Sequence, residues 1–173
     1  MARYRRNFIA GGTFFFTVKT SPIQNHTCLS NVSASRAAYM DVQKQYSFET
    51  VAVSVLPNHI HAIWTLPPDD ADYSLLRRLI KTKFSAHFPH AQNLSASKQR
   101  RHERGIWHRR FYEHTVRDET DLRRCANHIR SNPIKQKMSR AETETGTILQ
   151  KIISVFSNAI LIHSQTSNKA CAT

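Results

Sequence analysis

His59 and His61 are separated by one residue in the run Leu56-Pro57-Asn58-His59-Ile60-His61. Alternate residues of a β-strand face the same way, so the two imidazoles would stand side by side with Ile60 turned to the opposite face. Two neutral imidazoles on one face can share a divalent cation. In a chain with 10 histidines the pair also fits an ordinary couple of surface or core histidines, and the spacing alone leaves both readings open. The second concentration of reactive side chains is basic. Lys98, Arg100, Arg101, Arg104, Arg109 and Arg110 surround a single acid, Glu103, and are interleaved with Trp107, Phe111 and Tyr112. Such a segment suits a single-stranded nucleic acid, whose bases stack on the rings while its phosphates are neutralised. It suits equally a strand that buries its aromatics and turns its arginines outward.

The elements that must position these groups follow from pattern. Gly11-Gly12 leads into Thr13-Phe14-Phe15-Phe16-Thr17-Val18, a β-branched and aromatic run expected to be the first strand. Val32 to Gln45, with Ala37, Ala38, Met40 and Val42 among polar residues, is expected to be a helix. Phe48 to Leu56 and His59 to Leu66 read as two strands broken at Pro57-Asn58 and ended by Pro67-Pro68. Beyond the acidic loop 69–72, Leu75, Leu76, Leu79, Ile80 and Phe84 recur at helical spacing, and Arg77, Arg78, Lys81 and Lys83 occupy the other face. Residues 89–104 read as a loop. A last helix is expected from Asp118-Asp121 to near Asn132, where Pro133 opposes continuation.

The chain has 173 residues, enough for one core-bearing domain rather than two. Its 25 lysines and arginines against 12 acids give a formal charge of +13, which points to a polyanionic partner held by counterion release. Cys28, Cys125 and Cys171 are scattered, which argues against a disulfide framework or a zinc knuckle and for a reducing, cytoplasmic setting. No apolar stretch approaches membrane-spanning length, and no secretory pattern is visible at the N-terminus.

Four blocks in order carry a resemblance: Tyr4-Arg5-Arg6 with Gly11-Gly12-Thr13-Phe14-Phe15-Phe16-Thr17; Leu56-Pro57-Asn58-His59-Ile60-His61-Ala62-Ile63-Trp64; Trp107-His108-Arg109-Arg110-Phe111-Tyr112-Glu113-His114; and Asn132-Pro133-Ile134-Lys135. Together they resemble the REP-associated tyrosine transposases, which are HUH endonucleases of the single-tyrosine type. The resemblance implies an α+β fold, an antiparallel central sheet flanked by helices in a ferredoxin-like arrangement, over residues 1–138, with 139–173 a divergent tail of unknown role. It implies that His59 and His61 lie on a central strand and, with the amide of Asn132, hold Mg²⁺ or Mn²⁺, which polarises a scissile phosphate. It implies a nucleophilic tyrosine on a facing helix that becomes joined to a 5′ phosphate while a 3′ hydroxyl is freed, a step the hydroxyl can reverse without outside energy. The implied partner is single-stranded or hairpin DNA from a repeated palindrome, bound by a monomer or homodimer associated with the nucleoid. Arg77, Arg78, Lys81, Lys83, Arg100, Arg101, Arg104, Arg109 and Arg110 would hold phosphates, and Tyr4, Arg5, Arg6, Gly11 and Gly12 would touch a short motif beside the hairpin.

The chain departs from the family at the nucleophile. Members read Tyr-Ile-x-x-Asn-Pro where this chain reads His128-Ile129-Arg130-Ser131-Asn132-Pro133. His128 stands one helical turn before Asn132, on the same face, where the tyrosine belongs. His128 could itself attack through a phosphohistidine, or Tyr112 could substitute; the reading adopted is a relative that has lost or weakened strand cleavage while keeping its fold and DNA surface. A purely DNA-binding protein, domesticated or decayed, is the alternative. A metal-independent RNA-binding domain is a third.

Overall fold

Phe14, Phe15 and Phe16 are all buried, which consecutive strand residues can achieve only where both faces of the sheet are covered. In the computed structural model, which describes residues 7–21, 31–56, 58–88 and 94–135, they lie in β1 (Thr13–Lys19). There follow α1 (Val32–Gln45), β2 (Glu49–Val55), β3 (His59–Thr65), α2 (Tyr73–Ala86), the short α3 (Ala96–Arg100), β4 (Tyr112–Thr115) and α4 (Glu119–Lys135). The four strands form an antiparallel sheet in the order β2-β3-β1-β4. This is the βαββαβ, ferredoxin-like plan that the family resemblance implied.

One face of the sheet carries α1 and α2. Phe14 and Phe16 of β1 and Ala62 and Trp64 of β3 pack there against Tyr39, Val42, Tyr73 and Leu76, and Asp72 caps α2 by accepting from the Leu75 amide at 3.0 Å. The opposite face carries α4. Phe15 of β1, Ile63 of β3 and Ile129 of α4 form its buried core, extended by Leu122, Cys125 and Ala126. Asp118 accepts from the Asp121 amide at 2.8 Å at the start of this helix, and Glu119 and Asp121 place negative charge in its first turn, where the helix dipole favours it.

Two expectations are corrected. The last helix does not end near Asn132 but runs through Pro133 to Lys135. Proline's fixed φ is helical, so continuation forfeits a single backbone hydrogen bond, and Asn132 is held in the helix by side-chain contacts described below. Residues 89–104 are not loop throughout, because α3 occupies Ala96–Arg100. Tyr4, Arg5, Arg6 and the tail 139–173 lie outside the described residues. Among those described, no helix is long and apolar enough to cross a membrane.

Candidate active site and nucleic-acid surface

Strand register aligns one row of side chains across all four strands on the α4 face. Ser54 of β2 pairs with His61 of β3, His61 with Thr17 of β1, and Thr17 with Tyr112 of β4. His59 lies two residues from His61 on the same face, paired with Lys19, and both imidazoles are buried, at 6% and 3% exposure. Helix α4 lays Asp121, Cys125, His128 and Asn132 over this row; their spacing of four, three and four residues makes one stripe. These side chains line a cavity of about 730 Å³ with Phe15, Thr17, Lys19, Asn58, Tyr112, His114 and Arg124.

Hydrogen bonds fix which ring nitrogens are available. Asn132 Nδ2 lies 2.8 Å from His61 Nε2 and 3.3 Å from His128 Nε2. An amide nitrogen only donates, so both Nε2 atoms accept. The other His61 nitrogen, Nδ1, then carries the proton and donates to Thr17 Oγ1 at 2.8 Å. His59 Nδ1 lies 2.6 Å from Asn58 Oδ1, an acceptor, so its lone pair also falls on Nε2. Each histidine of the pair is thus held by a neighbour through Nδ1 and presents Nε2, the arrangement that orients metal-ligating imidazoles. The rings lie 4.7 Å apart. A half-turn of the Asn132 amide puts Oδ1 in place of Nδ2, completing a donor set of two imidazoles and one oxygen that leaves room for water and phosphate oxygens on a six-coordinate cation.

Burial, and then the charges of His59, His128 and Lys19, push the His61 pKa down to about 3. Burial, Lys19 and His128 lower that of His59 as well. Both rings are therefore neutral at pH 7, the form that binds metal. An unfolded histidine takes its proton near pH 6.5, so below that pH the unfolded chain binds a proton that folded His61 refuses. Stability from this group is complete above about pH 6.5 and drains away as pH falls toward about 3. Thermal melts of chelator-treated protein should show a steeper loss of Tm between pH 6.5 and 4 than melts of His61→Gln; parallel curves would refute the buried neutral state.

Of the residues expected to act, the fold brings His59, His61, His128, Asn132 and Tyr112 into one cavity. Tyr112 is 59% exposed and meets Phe15 edge-on, with centroids 6.2 Å apart. Arg77, Arg78, Lys81, Arg101, Arg104 and Arg109 line a different cavity, also about 730 Å³, beside α2. Lys83, Arg100 and Arg110 do not line it; Lys83 lies 3.6 Å from Asp41. The aromatics expected to stack on bases are divided. The Arg77 guanidinium lies 3.6 Å above the Phe111 ring, Lys81 Nζ is 5.5 Å from the Trp107 ring, and Trp107 Nε1 donates to Ser85 Oγ at 2.9 Å. Phe111 and Trp107 therefore support cations, and Tyr112 alone of the three is open. Burial, assisted by Arg77, brings the Lys81 pKa down to about 8, and its ammonium donates to the His108 carbonyl at 3.0 Å.

The two cavities share no lining residue, but backbone contacts at the end of β1 join a segment of one to a segment of the other. Trp107 bridges Thr20, and the His108 amide donates to the Lys19 carbonyl at 2.9 Å; Lys19 lines the histidine cavity and His108 the basic one. Gly11 and Gly12 sit at the opposite end of β1 from His59. Gly11 has φ of 68°, its amide donates to the Pro67 carbonyl at 2.9 Å, and an added Cβ would stand 3.2 Å from Pro68 Cα, so a tight turn accounts for it. Sequence reasoning missed Thr17, Asn58, and the trio His114, Asp121 and Cys125. Asn58 was visible beside His59; Thr17 is 44 residues from His61 and only strand register joins them.

A four-stranded antiparallel sheet in this order, with helices on both faces and a buried histidine pair under a helical asparagine, makes the chain a ferredoxin-like α+β domain. No protein-family model matches the chain. A relative from Haemophilus influenzae described as a REP-associated tyrosine transposase is 37% identical over 136 residues, 78% of this chain and 77% of the relative. The REP-associated tyrosine transposase of Escherichia coli is 38% identical over 135 residues, 78% of this chain and 74% of that one. A solved structure of a REP-associated tyrosine transposase bound to a REP hairpin superposes with a TM-score of 0.68 at 34% identity, covering 81% of this chain and 77% of that one. The chain belongs to the REP-associated tyrosine transposase family.

Proposed function

We propose that the chain binds single-stranded or hairpin DNA, with phosphates running from the basic cavity across the Lys19–His108 edge to the histidine cavity. The histidine cavity is a nicking and rejoining site whose cleavage is lost or slow because His128 occupies the nucleophile's place. The observation that carries this reading is the Asn132 amide, within 2.8 Å of His61 and 3.3 Å of His128; it puts the replaced position beside the histidine pair. His59, His61 and Asn132 would hold Mg²⁺ or Mn²⁺, which when bound would draw charge from a phosphate oxygen. Thr17 and Asn58 keep the two imidazoles turned inward. An imidazole is shorter than a phenol, so the group poorly replaces a tyrosine oxygen. Residues 1–138 constitute the DNA-handling domain, working on DNA in the cytoplasm.

The test uses the full-length chain, Mn²⁺ and a hairpin-bearing oligonucleotide with a single-stranded flank. The expected result is salt-sensitive binding, with neither rapid nicking nor a covalent adduct. Cleavage at a rate that His128→Ala abolishes would overturn the impaired-site reading in favour of a phosphohistidine. Equal binding of the matching RNA, indifferent to His59→Ala, would favour the metal-independent RNA reading.

A further inference from the structure

We propose that His114, Asp121 and Cys125 form a second cation site, of the zinc class, in the histidine cavity but separate from His59, His61 and Asn132. The three ligand types come from two elements. His114 lies on β4, beside Phe15 in the strand register, and Asp121 and Cys125 lie one turn apart on α4. A nitrogen, a carboxylate oxygen and a sulfur from these side chains all fall within 4.8 Å of one another, and His114 Nε2 is 2.8 Å from Asp121 Oδ2.

Zinc bonds of about 2.0–2.3 Å in a tetrahedron set ligand atoms roughly 3.3–3.8 Å apart. The histidine–carboxylate pair would widen by about half an ångström and the sulfur would close by up to about one and a half, changes within side-chain rotation. Asp121 is nearly buried, but the His114 side chain is 29% exposed and lines the open cavity with Cys125, so an ion can enter and a fourth position stays open to water or a phosphate oxygen. Sulfur sets the cation class: a thiolate favours zinc over the hard Mg²⁺ or Mn²⁺ suited to the histidine–amide set. On binding, Cys125 gives up its thiol proton, and the His114 proton now between Nε2 and Asp121 moves to Nδ1. Arg124 lines the same cavity and opposes a cation, but one carboxylate and one thiolate balance the two charges of zinc. The ion would cross-link β4 to α4, the helix that carries His128 and Asn132.

The bland reading is a His114–Asp121 hydrogen bond that ties strand to helix, with Cys125 as apolar filler beside Leu122 and Ala126. Cobalt distinguishes the two without any cleavage assay. Full-length chain carrying Cys28→Ser and Cys171→Ser is titrated with Co²⁺. One equivalent should produce a thiolate-to-cobalt charge-transfer band in the near ultraviolet, removed by Zn²⁺, lost in Cys125→Ser and kept in His61→Ala. In a His61→Ala background, which removes the other cation site, saturating Zn²⁺ at about a hundredfold over its Kd should raise Tm by roughly 5–10 °C, and this rise should be lost on adding His114→Gln. His114→Gln serves also if Cys125→Ser fails to fold, since it should lose the tetrahedral visible bands. No band, or a band that survives both variants, overturns the proposal while leaving the DNA reading untouched.

Discussion

His128→Tyr gains strand cleavage: with Mn²⁺ and a hairpin oligonucleotide, nicked product and a covalent protein–DNA adduct form at least about 10³ times faster than with the unaltered chain. The scale comes from enzymes in which removing the nucleophile costs roughly 10⁶ in turnover; a gain of 10³ corresponds to about 4 kcal/mol of barrier. The geometry favours accommodation. His128 is exposed, its ring lies edge-on to Phe15 at 5.7 Å and to His61 at 5.1 Å, and beyond it the cavity is open. A tyrosine there extends past the point where the imidazole stops. Its oxygen would form the bond to phosphorus as the bond to the 3′ oxygen breaks, the phenolic proton leaving and the 3′ oxygen gaining one. Denaturing gels of the reaction read the adduct directly. If His128→Tyr binds the hairpin normally yet gives no adduct, a missing phenol is not what limits this site. Adding His61→Ala to His128→Tyr should remove the gained activity without removing DNA binding.

Replacing Arg78, Arg101 and Arg109 together by alanine should flatten the salt dependence of single-strand binding by about 2 in log-log slope, at about 0.7 for each phosphate released. A rise from about 50 to 200 mM salt then costs the unaltered chain roughly 20-fold more affinity than it costs the variant. These three line the basic cavity and are exposed; Arg101 also pairs with Glu103 at 3.2 Å, a solvent-exposed ion pair of small worth, so the loss reports phosphate contacts rather than packing. Arg104 is a poor choice for the same test: its guanidinium donates to the carbonyls of Phe88 at 2.6 Å and Ser85 at 3.3 Å, closing the end of α2, and removing it would leave half-buried acceptors unmatched. Arg77 is likewise committed, over Phe111. Equal slopes for variant and unaltered chain, measured by fluorescence anisotropy, would place the phosphates elsewhere.

Period and spacing within single elements made much of the fold legible. Three phenylalanines in succession, a His-x-His pair and an amphipathic Leu75 to Phe84 stretch declare strand or helix wherever they fall, because side-chain direction repeats every two or 3.6 residues. The helix from Val32 to Gln45 has the bounds expected of it. That His128 and Asn132 share a helix face was legible too, since residues four apart lie one turn from each other on any helix.

Which element faces which was not written in any local period. Asn132 reaches His61 across 71 residues because Phe15, Ile63 and Ile129 bury one another and so press α4 onto the sheet. The same packing holds Asn132 helical ahead of Pro133, against local preference, and it brings Asp121 and Cys125 to His114. Local pattern set most of the elements, though not α3 or the end of α4, together with the charge and the chemistry of each side chain. Tertiary structure alone decided that the arginines of α2 and the histidine pair lie on opposite faces of the sheet, because α1 and α2 cover Trp64 and Phe16 on one side while α4 covers Ile63 and Phe15 on the other.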